Sequence, residues 1–353
     1  MVKTSGVHAP LPLSFMRWRK YPVALRLRLI KAVLECFLWI RHPKMVLYFI
    51  RRTGFLPNMF CPQTVNDKFL WRKLFDHDPR FVILSDKLAC KEWVEARVPE
   101  RLKMASVRWV GDSAESIPRG LLKGAALMKA NHGSETNLFL RDNRFSDEKI
   151  ESTIQSWLAY DHGKAHREWA YSRVERKIFI EDEITPQSGE LEEIKVFTHG
   201  SDVVRLHHIG DRFSGKWANC WNVAADGTMK LSTEQGRVGP PNPGKALPNK
   251  VEEAVALAKQ LGAEFDQLRV DFIFDGEALW LGELTVYNEA GYVYLPAAND
   301  PESRFSQAWD IRNTFFLSHQ HRSGFKRLYA SVLKQYLAAS SFREIAPNSM
   351  TES

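Results

Sequence analysis

The chain has 353 residues, 44% apolar and 26% charged, a balance that fits an ordinary globular protein and excludes a low-complexity or fibrous one. Its formal charge of +7 is uneven: residues 1–60 hold 11 Lys or Arg against Glu35 alone, or +10, so that 38 of the 49 basic and 41 of the 42 acidic residues remain for 61–353, or −3. Basicity confined to one end, without a recognition motif, argues against a nucleic-acid-binding protein. Four scattered cysteines, Cys36, Cys61, Cys90 and Cys220, form no CxxC pair and point to a reducing, cytoplasmic setting.

The N-terminus does not read as a secretory signal, because Pro10 and Pro12 precede Arg17, Arg19 and Lys20 and no apolar core with a cleavage site follows. The run AVLECFLWI at 32–40 is broken by Glu35 and is shorter than the ~20 residues that span a bilayer. Val23, Leu27, Ile30, Leu34 and Phe37 recur at helical spacing, and MVLYFI at 45–50 lies between Lys44 and Arg51-Arg52. Such basic amphipathic pieces suit either packing on the protein's own core or salt-sensitive docking on the anionic inner face of a membrane.

Residues 66–98 read as two helices separated at Asp78-Pro79. Short strands and turns follow from 116: GAALMKA at 124–130, the polar NHGSETN, and LFL at 138–140. A helix-compatible stretch from Ser146 to about Lys164 precedes the strand KIFIEDEI at 177–184, and EIKVFTHGSDVVRLHHIG at 193–210 reads as a hairpin turning at Gly200-Ser201. The Gly/Pro-rich 236–248 reads as a mobile loop, 251–265 as a helix, and 327–340 as a last helix before a polar tail. The eleven histidines lack metal-site spacing, and no repeat of 20 to 50 residues is visible.

The segment RVDFIFDGEALWLGELTVYNEAG at 269–291 places two acids inside strand-like sequence. A three-residue loop over Gly276–Ala278 would pair Asp275 with Leu279, Ile273 with Leu281, Asp271 with Glu283 and Arg269 with Thr285, leaving Phe272, Phe274, Trp280 and Leu284 on the buried face. The facing carboxylates then repel, so removing one charge is expected to raise the stability of the free protein. A Mg²⁺ ion bound to phosphate would offset the repulsion; the alternative is a solvated face with Arg269 as ion-pair partner. In MKANHGSETN, Lys129 at a strand end and Gly133-Ser134 in a flexible loop suit a phosphate, while Lys123 does not face it; a plain surface turn is the alternative. IFIEDEI ends in Glu181, Asp182 and Glu183, which suits a solvated edge or an adenine-holding hinge.

Taken in order, KANHGSE, REWAY at 167–171, IFIEDEI, EIKVF, RVD and GELT resemble the ATP-grasp superfamily in its TupA-like branch, named for a teichuronopeptide biosynthesis protein, over Asn66 to Arg322. The resemblance implies an α+β ATP-grasp fold with ATP between two lobes. It divides the chain into a basic helical region (1–60), a helical pre-ATP-grasp region (61–115), a central lobe (116–190), a C-terminal lobe (191–325) and a helix with tail (326–353). It also implies Lys129, Lys195 and Arg269 as catalytic cations, Gly133-Ser134 as the phosphate-covering loop, Glu181, Asp182 and Glu183 at the adenine hinge, and Asp271 and Glu283 as Mg²⁺ ligands. Thr285 stands where most ATP-grasp enzymes have Asn, which leaves Asn288 as the further candidate ligand.

The activity implied is an ATP-dependent carboxylate–amine ligase working through an acylphosphate, with a uronic acid of a cell-surface polysaccharide or its precursor as acceptor. Alternatives are a sugar phosphotransferase and a nonenzymatic membrane-associated assembly factor. Oligomeric state is not legible.

Overall fold

The computed structural model describes residues 23–122, 124–141, 145–211, 215–234, 238–319 and 324–345; Arg17, Arg19, Lys20, Lys123 and positions 236–237 lie outside the described residues. The chain divides into one unit of residues 1–62 with 320–353 and a second of 63–319.

In the first unit, helix α1 (Val23–Arg41) is followed by α2 (Pro43–Thr53), with Pro43 in its first turn and Gly54 closing it at φ 79°. Of the stripe that the spacing of Val23 to Phe37 leads one to expect inside, Leu27 is buried and Ile30 and Leu34 are half-buried, whereas Phe37 is exposed; α1 also buries Glu35 and Leu38 and exposes Leu25, Leu29, Val33 and Ile40. Apolar residues on α1 extend past that stripe, so a second anchor fixes the inward face. Glu35 chooses it: its carboxylate accepts the backbone N–H groups of Met59 (2.5 Å) and Phe60 (3.0 Å), whose carbonyls accept the hydroxyl of Tyr329 on the C-terminal helix Gly324–Ile345.

The second unit begins with α3 (Val65–Leu74), started by a capping box between Thr64 and Asp67. Where two helices are expected, three form: Asp86 caps Leu88 (2.9 Å), so α4 (Arg80–Ser85) ends and α5 (Lys87–Glu95) begins. Strand β1 (Val107–Gly111) then arises within the segment expected to be helical, from the β-branched and aromatic run VRWVG. It joins β2 (Ala126–Ala130), β3 (Asn137–Phe139) and β4 (Ile178–Asp182) in an antiparallel sheet of order β1-β4-β2-β3. Met128, Ile178 and Ile180 pack with Ile150 and Ile154 of α6 (Asp147–Ala159), which is followed by the short α7 (His162–His166).

A second antiparallel sheet, ordered β10-β9-β5-β6-β7-β8, contains β5 (Glu192–His199), β6 (Asp202–Gly210), β7 (Trp217–Val223), β8 (Met229–Leu231), β9 (Leu268–Phe274) and β10 (Leu279–Thr285). One face buries Ile194, Val196, Val270 and Phe272 against Ala254, Leu257 and Leu261 of α8 (Val251–Gly262). Residues 238–248 are stitched down rather than hanging free. Asn219 exchanges hydrogen bonds with the backbone of Asn242 (2.6 and 2.9 Å), supplying the donor that neighbouring prolines lack.

The hairpin pairs Asp271 with Glu283 and Arg269 with Thr285 as expected, but nearer the turn Ile273 faces Trp280 and Phe272 faces Leu281. Gly282 is the extra residue of a bulge: a Cβ there would lie 2.8 Å from the Asp271 carbonyl oxygen. The bulge moves Leu279 and Leu281 into the core and leaves Trp280 half-buried, its indole N–H donating to Asp275 (2.7 Å).

Beneath the hairpin, fully buried Arg72 of α3 donates to both Asp266 oxygens (2.8 Å each), to Gln267 Oε1 (2.8 Å) and to the Val286 carbonyl (2.9 Å). Nearby Asp76 accepts from Phe316 N (2.7 Å), and burial, reinforced by Asp266 against the opposing pull of Arg72, pushes its carboxyl up to about 8. The folded state therefore keeps a proton that the unfolded chain releases, so this group lowers stability as pH rises from about 4 to about 8. Asp76→Asn, which still accepts from Phe316, is expected to melt like wild type near the low end of that window. Above about pH 8 it should be the more stable, by roughly 1.4 kcal/mol per unit of separation realised; parallel melts across the range would count against it.

Candidate active site

The second face of the larger sheet is polar. Cross-strand pairing sets Lys195, Asp271 and Glu283 in one row and Phe197, Arg269 and Thr285 in the next. Arg269 Nε donates to Asp271 Oδ1 (2.6 Å), and its Nη2 reaches Asp271 Oδ2 (2.6 Å), Glu283 Oε1 (3.0 Å) and Thr285 Oγ1 (3.0 Å). Lys195 Nζ adds ion pairs to Asp271 (2.8 Å) and Glu193 (3.0 Å). Burial would push the Asp271 carboxyl up, but Arg269 and then Lys195 outweigh it and hold the group at about 2. The facing acids are thus bridged by cations, which overturns the expectation that deleting one charge stabilises the free protein.

The smaller sheet repeats the arrangement. Buried Glu181 receives Lys129 (2.5 Å) and Lys91 (2.8 Å), and these cations lower its pKa despite burial. Lys87 donates to the Gly133 carbonyl, and burial depresses its pKa. Lys87, Lys91, Lys129, Glu181, Gly282 and Glu283 line one small cavity, so side chains of both sheets meet there. Sequence reasoning missed Lys87 and Lys91; their i, i+4 spacing in DKLACK was the available signal.

Beside this cavity opens a cleft of about 560 Å³, with Leu127, Phe139, Ile184, Leu191 and Ile273 among its lining residues, as are Lys129, Asp182 and Glu183. Apolar walls with a few charged groups suit a planar base carrying phosphates. The Asp182 and Glu183 carboxylates are taken by Arg108 (2.7 Å) and Arg141, and the Glu183 N–H by the Ala125 carbonyl (3.0 Å). Gly133 is buried at φ 76°, where a Cβ would lie 3.1 Å from the His162 ring; Ser134 is exposed.

Asn288 is buried, and neither its Oδ1 nor its Nδ2 has a hydrogen-bond partner. It opens a turn in which Glu289, Ala290 and Gly291 all have positive φ (49°, 53° and 72°). Among the described residues no group of three or more His, Cys, Asp or Glu is arranged around a metal position. The oxygen donors of Asp271, Glu283 and Asn288 nonetheless have the hard chemistry that Mg²⁺ takes, and the orphaned Asn288 amide fits that set.

A family profile described as TupA-like ATPgrasp matches residues 67–301. The chain belongs to the TupA-like ATP-grasp family. Its α+β ATP-grasp fold follows as the sequence led one to expect. Among solved structures, D-alanine–D-alanine ligase from Bacillus anthracis is 15% identical over 74% of this chain and 70% of that one, with a TM-score of 0.33. The corresponding ligase from Helicobacter pylori is 11% identical over 69% of each, with a TM-score of 0.38. Phosphoribosylamine–glycine ligase from Thermotoga maritima is 16% identical over 62% and 52%, with a TM-score of 0.34. No curated protein matches the sequence.

In this TupA-like protein Asp271→Asn is expected to destabilise the nucleotide-free chain by about 3–5 kcal/mol at neutral pH, because Arg269 and Lys195 would keep buried charges without a partner. Since the Asp271 pKa is depressed, the wild-type advantage is present above about 3.8 and fades as pH falls toward 2. Thermal melts of both proteins check this, and a higher melting temperature for the variant contradicts it.

Proposed function

We propose that this TupA-like ATP-grasp enzyme is an ATP-dependent carboxylate–amine ligase that joins an amino acid to a uronic acid carboxylate of a cell-surface polysaccharide or its precursor. The observation that carries the reading is the convergence of Lys87, Lys91 and Lys129 from one side, and Glu283 from the other, on one cavity beside an apolar cleft. A carboxylate has a poor leaving group and does not condense with an amine at neutral pH. Attack of its oxygen on the γ-phosphorus of ATP breaks the bond to ADP and gives an acylphosphate. The amine then attacks the acyl carbon, phosphate leaves, and the nitrogen loses a proton. Lys87, Lys129, Lys195 and Arg269 would neutralise phosphate charge as it shifts, and the cleft would exclude water. Asp271, Glu283 and Asn288 would hold Mg²⁺, which when bound supplies further charge neutralisation on the phosphates.

Paired addition of amino acids and uronic acids to the protein with MgATP should release ADP and phosphate and yield an amide. A phosphosugar with ADP and no free phosphate would favour the phosphotransferase instead. Lys129→Ala and Lys87→Met should each cut turnover at least about tenfold, whereas Lys149→Ala on the exposed side of α6 should not. Equal turnover in all three would sink the assignment of the phosphate cations.

We further propose that the first unit contacts the anionic inner face of a membrane. Val33 (67%) and Ile40 (79%) are the most exposed of an apolar stripe on α1 with Leu25, Leu29 and Phe37, while Glu35 is turned inward and Arg28, Arg41, Lys44, Arg51 and Arg52 are exposed. No described helix is long and apolar enough to cross a membrane. Sedimentation with vesicles containing anionic lipid should be lost in a Val33→Ser, Ile40→Ser variant and weakened by salt in the wild type. Equal sedimentation of both proteins, or none by either, would remove the membrane reading.

A further inference from the structure

In the motif REWAY at 167–171, Tyr171 is half-buried close to Glu283 and Arg269, whereas the start of the motif has no part in the nucleotide site described above and is yet held by a costly piece of construction. Arg167 ends α7 in the left-handed region (φ 56°, ψ 39°), a conformation strained for any residue but glycine and one that the surrounding structure must impose. Directly after it, Glu168 is buried with its carboxylate 3.3 Å from His162 Nε2 and 4.0 Å from Lys73 Nζ. Lys73, itself buried, donates to the carbonyls of His166 (2.9 Å) and Ala290 (2.5 Å). His162 is the ring that abuts Gly133. A buried ammonium, carboxylate and imidazole therefore fasten this segment between the Gly133 loop and the turn that begins at Asn288.

What the fastened segment offers to solvent is positive charge and aromatic surface. Lys164, Arg167 and Arg173 are exposed and form no ion pair with any described residue, while the local acids are committed: Asp161 to Arg176 (3.0 Å), Glu175 to Lys177 (3.2 Å), and Glu168 to the buried chain. Trp169 is half-buried, stacked on His77 at 4.7 Å and 5°, with the Arg173 guanidinium 5.9 Å from its ring centre, and Tyr160 is 48% exposed. Guanidinium groups bind carboxylates as a fork, and flat aromatic faces take the apolar side of a sugar ring.

We propose that Arg167, with Lys164 and Arg173, forms the recognition site for the carboxylates of an anionic glycan acceptor, beside the Gly133 loop. The acceptor class rests on the ligase reading; the position rests on the strained backbone, the buried fastening and the uncompensated charge. Tyr160 supplies exposed aromatic surface for a sugar ring, Trp169 backs Arg173, and the segment presents the acceptor at the phosphate end of the cleft.

Two variants keep this testable. Arg167→Gln removes the charge and retains the strain. Arg167→Gly removes the charge and relieves the strain, so it is expected to melt at or above the wild-type temperature. Titrating the intact protein with a hexamer of galacturonic acid, and with a neutral glucose hexamer as control, should give at least a tenfold loss of galacturonate affinity in both variants. The neutral hexamer should bind more weakly than the galacturonate to wild type and equally to all three proteins, and an ATP analogue should bind all three alike. Wild-type galacturonate binding in Arg167→Gly, no binding by the wild type itself, or a parallel loss of nucleotide binding would overturn the site. If galacturonate binds through Arg167 and no amide forms with MgATP and amino acids, the site stands and the ligase reading falls. If amide formation is unchanged in Arg167→Gly, the ligase reading stands and the site falls.

Discussion

A carboxylate can stay ionised on the inner face of a sheet only if a cation lies against it, and the arrangement of both sheets answers to that requirement. Asp271 sits between Arg269 and Lys195, and Glu181 sits between Lys129 and Lys91. Each carboxylate is almost wholly buried, so neither could be left alone without a cost of several kcal/mol. Charge neutrality in turn fixes geometry. The Arg269 fork reaches across the strand to Glu283 and Thr285, which holds the hairpin in the register that puts both acids on the polar face.

This pre-pairing bears on how phosphates would be received. Lys129, Lys91, Lys195 and Arg269 are already desolvated and already engaged with protein carboxylates. An incoming anion would therefore exchange partners rather than meet unpaired charge. Its affinity is the difference between two ion-pair sets, which is smaller than either and depends on further charge brought by a metal. The benefit is orientation: the cations are fixed by ion pairs and packing before any ligand arrives, so little reorganisation remains for the reacting state.

How much of this was legible in the sequence follows from the range of each interaction. Facing of Asp271 and Glu283 could be read because both lie in one hairpin and alternation sets their side. The bulge at Gly282 could not, since it depends on the Asp271 carbonyl closing against a residue without a Cβ; the assumed three-residue loop reached the right pairing at the acids only because the bulge compensates for a longer turn. Lys87 and Lys91 look like ordinary charges on a helix, and only contact with residues 46 and 90 positions away along the chain, Gly133 and Glu181, makes them part of a site. Arg72 was similarly hidden: a fully buried arginine in a helix has no local signature, and its partners Asp266, Gln267 and Val286 lie nearly 200 residues or more further on. In α1 the apolar spacing put Leu27, Ile30 and Leu34 inward, but Phe37 turns out and Glu35 in, because the inward side also satisfies the backbone N–H groups of Met59 and Phe60.

The departure from the usual ATP-grasp pattern at position 285 becomes intelligible in the same terms. The Thr285 hydroxyl accepts from Arg269 and donates to Glu283 Oε1 (3.0 Å each), so it steadies the fork and the acid. An asparagine there would carry its polar atoms one atom further from the backbone and its amide oxygen would compete with Glu283 for Arg269. Asn288, three positions further along the chain, carries instead a buried amide with both polar atoms unpaired, in a turn of three consecutive left-handed residues whose Ala290 carbonyl is held by Lys73. Keeping an unsatisfied buried amide costs about 1–3 kcal/mol, and a strained turn adds to it. At the end of its acidic hairpin the fold thus holds an unpaired amide oxygen in a turn fixed through Lys73 and Glu168, which is where a further ligand for the proposed Mg²⁺ would come from.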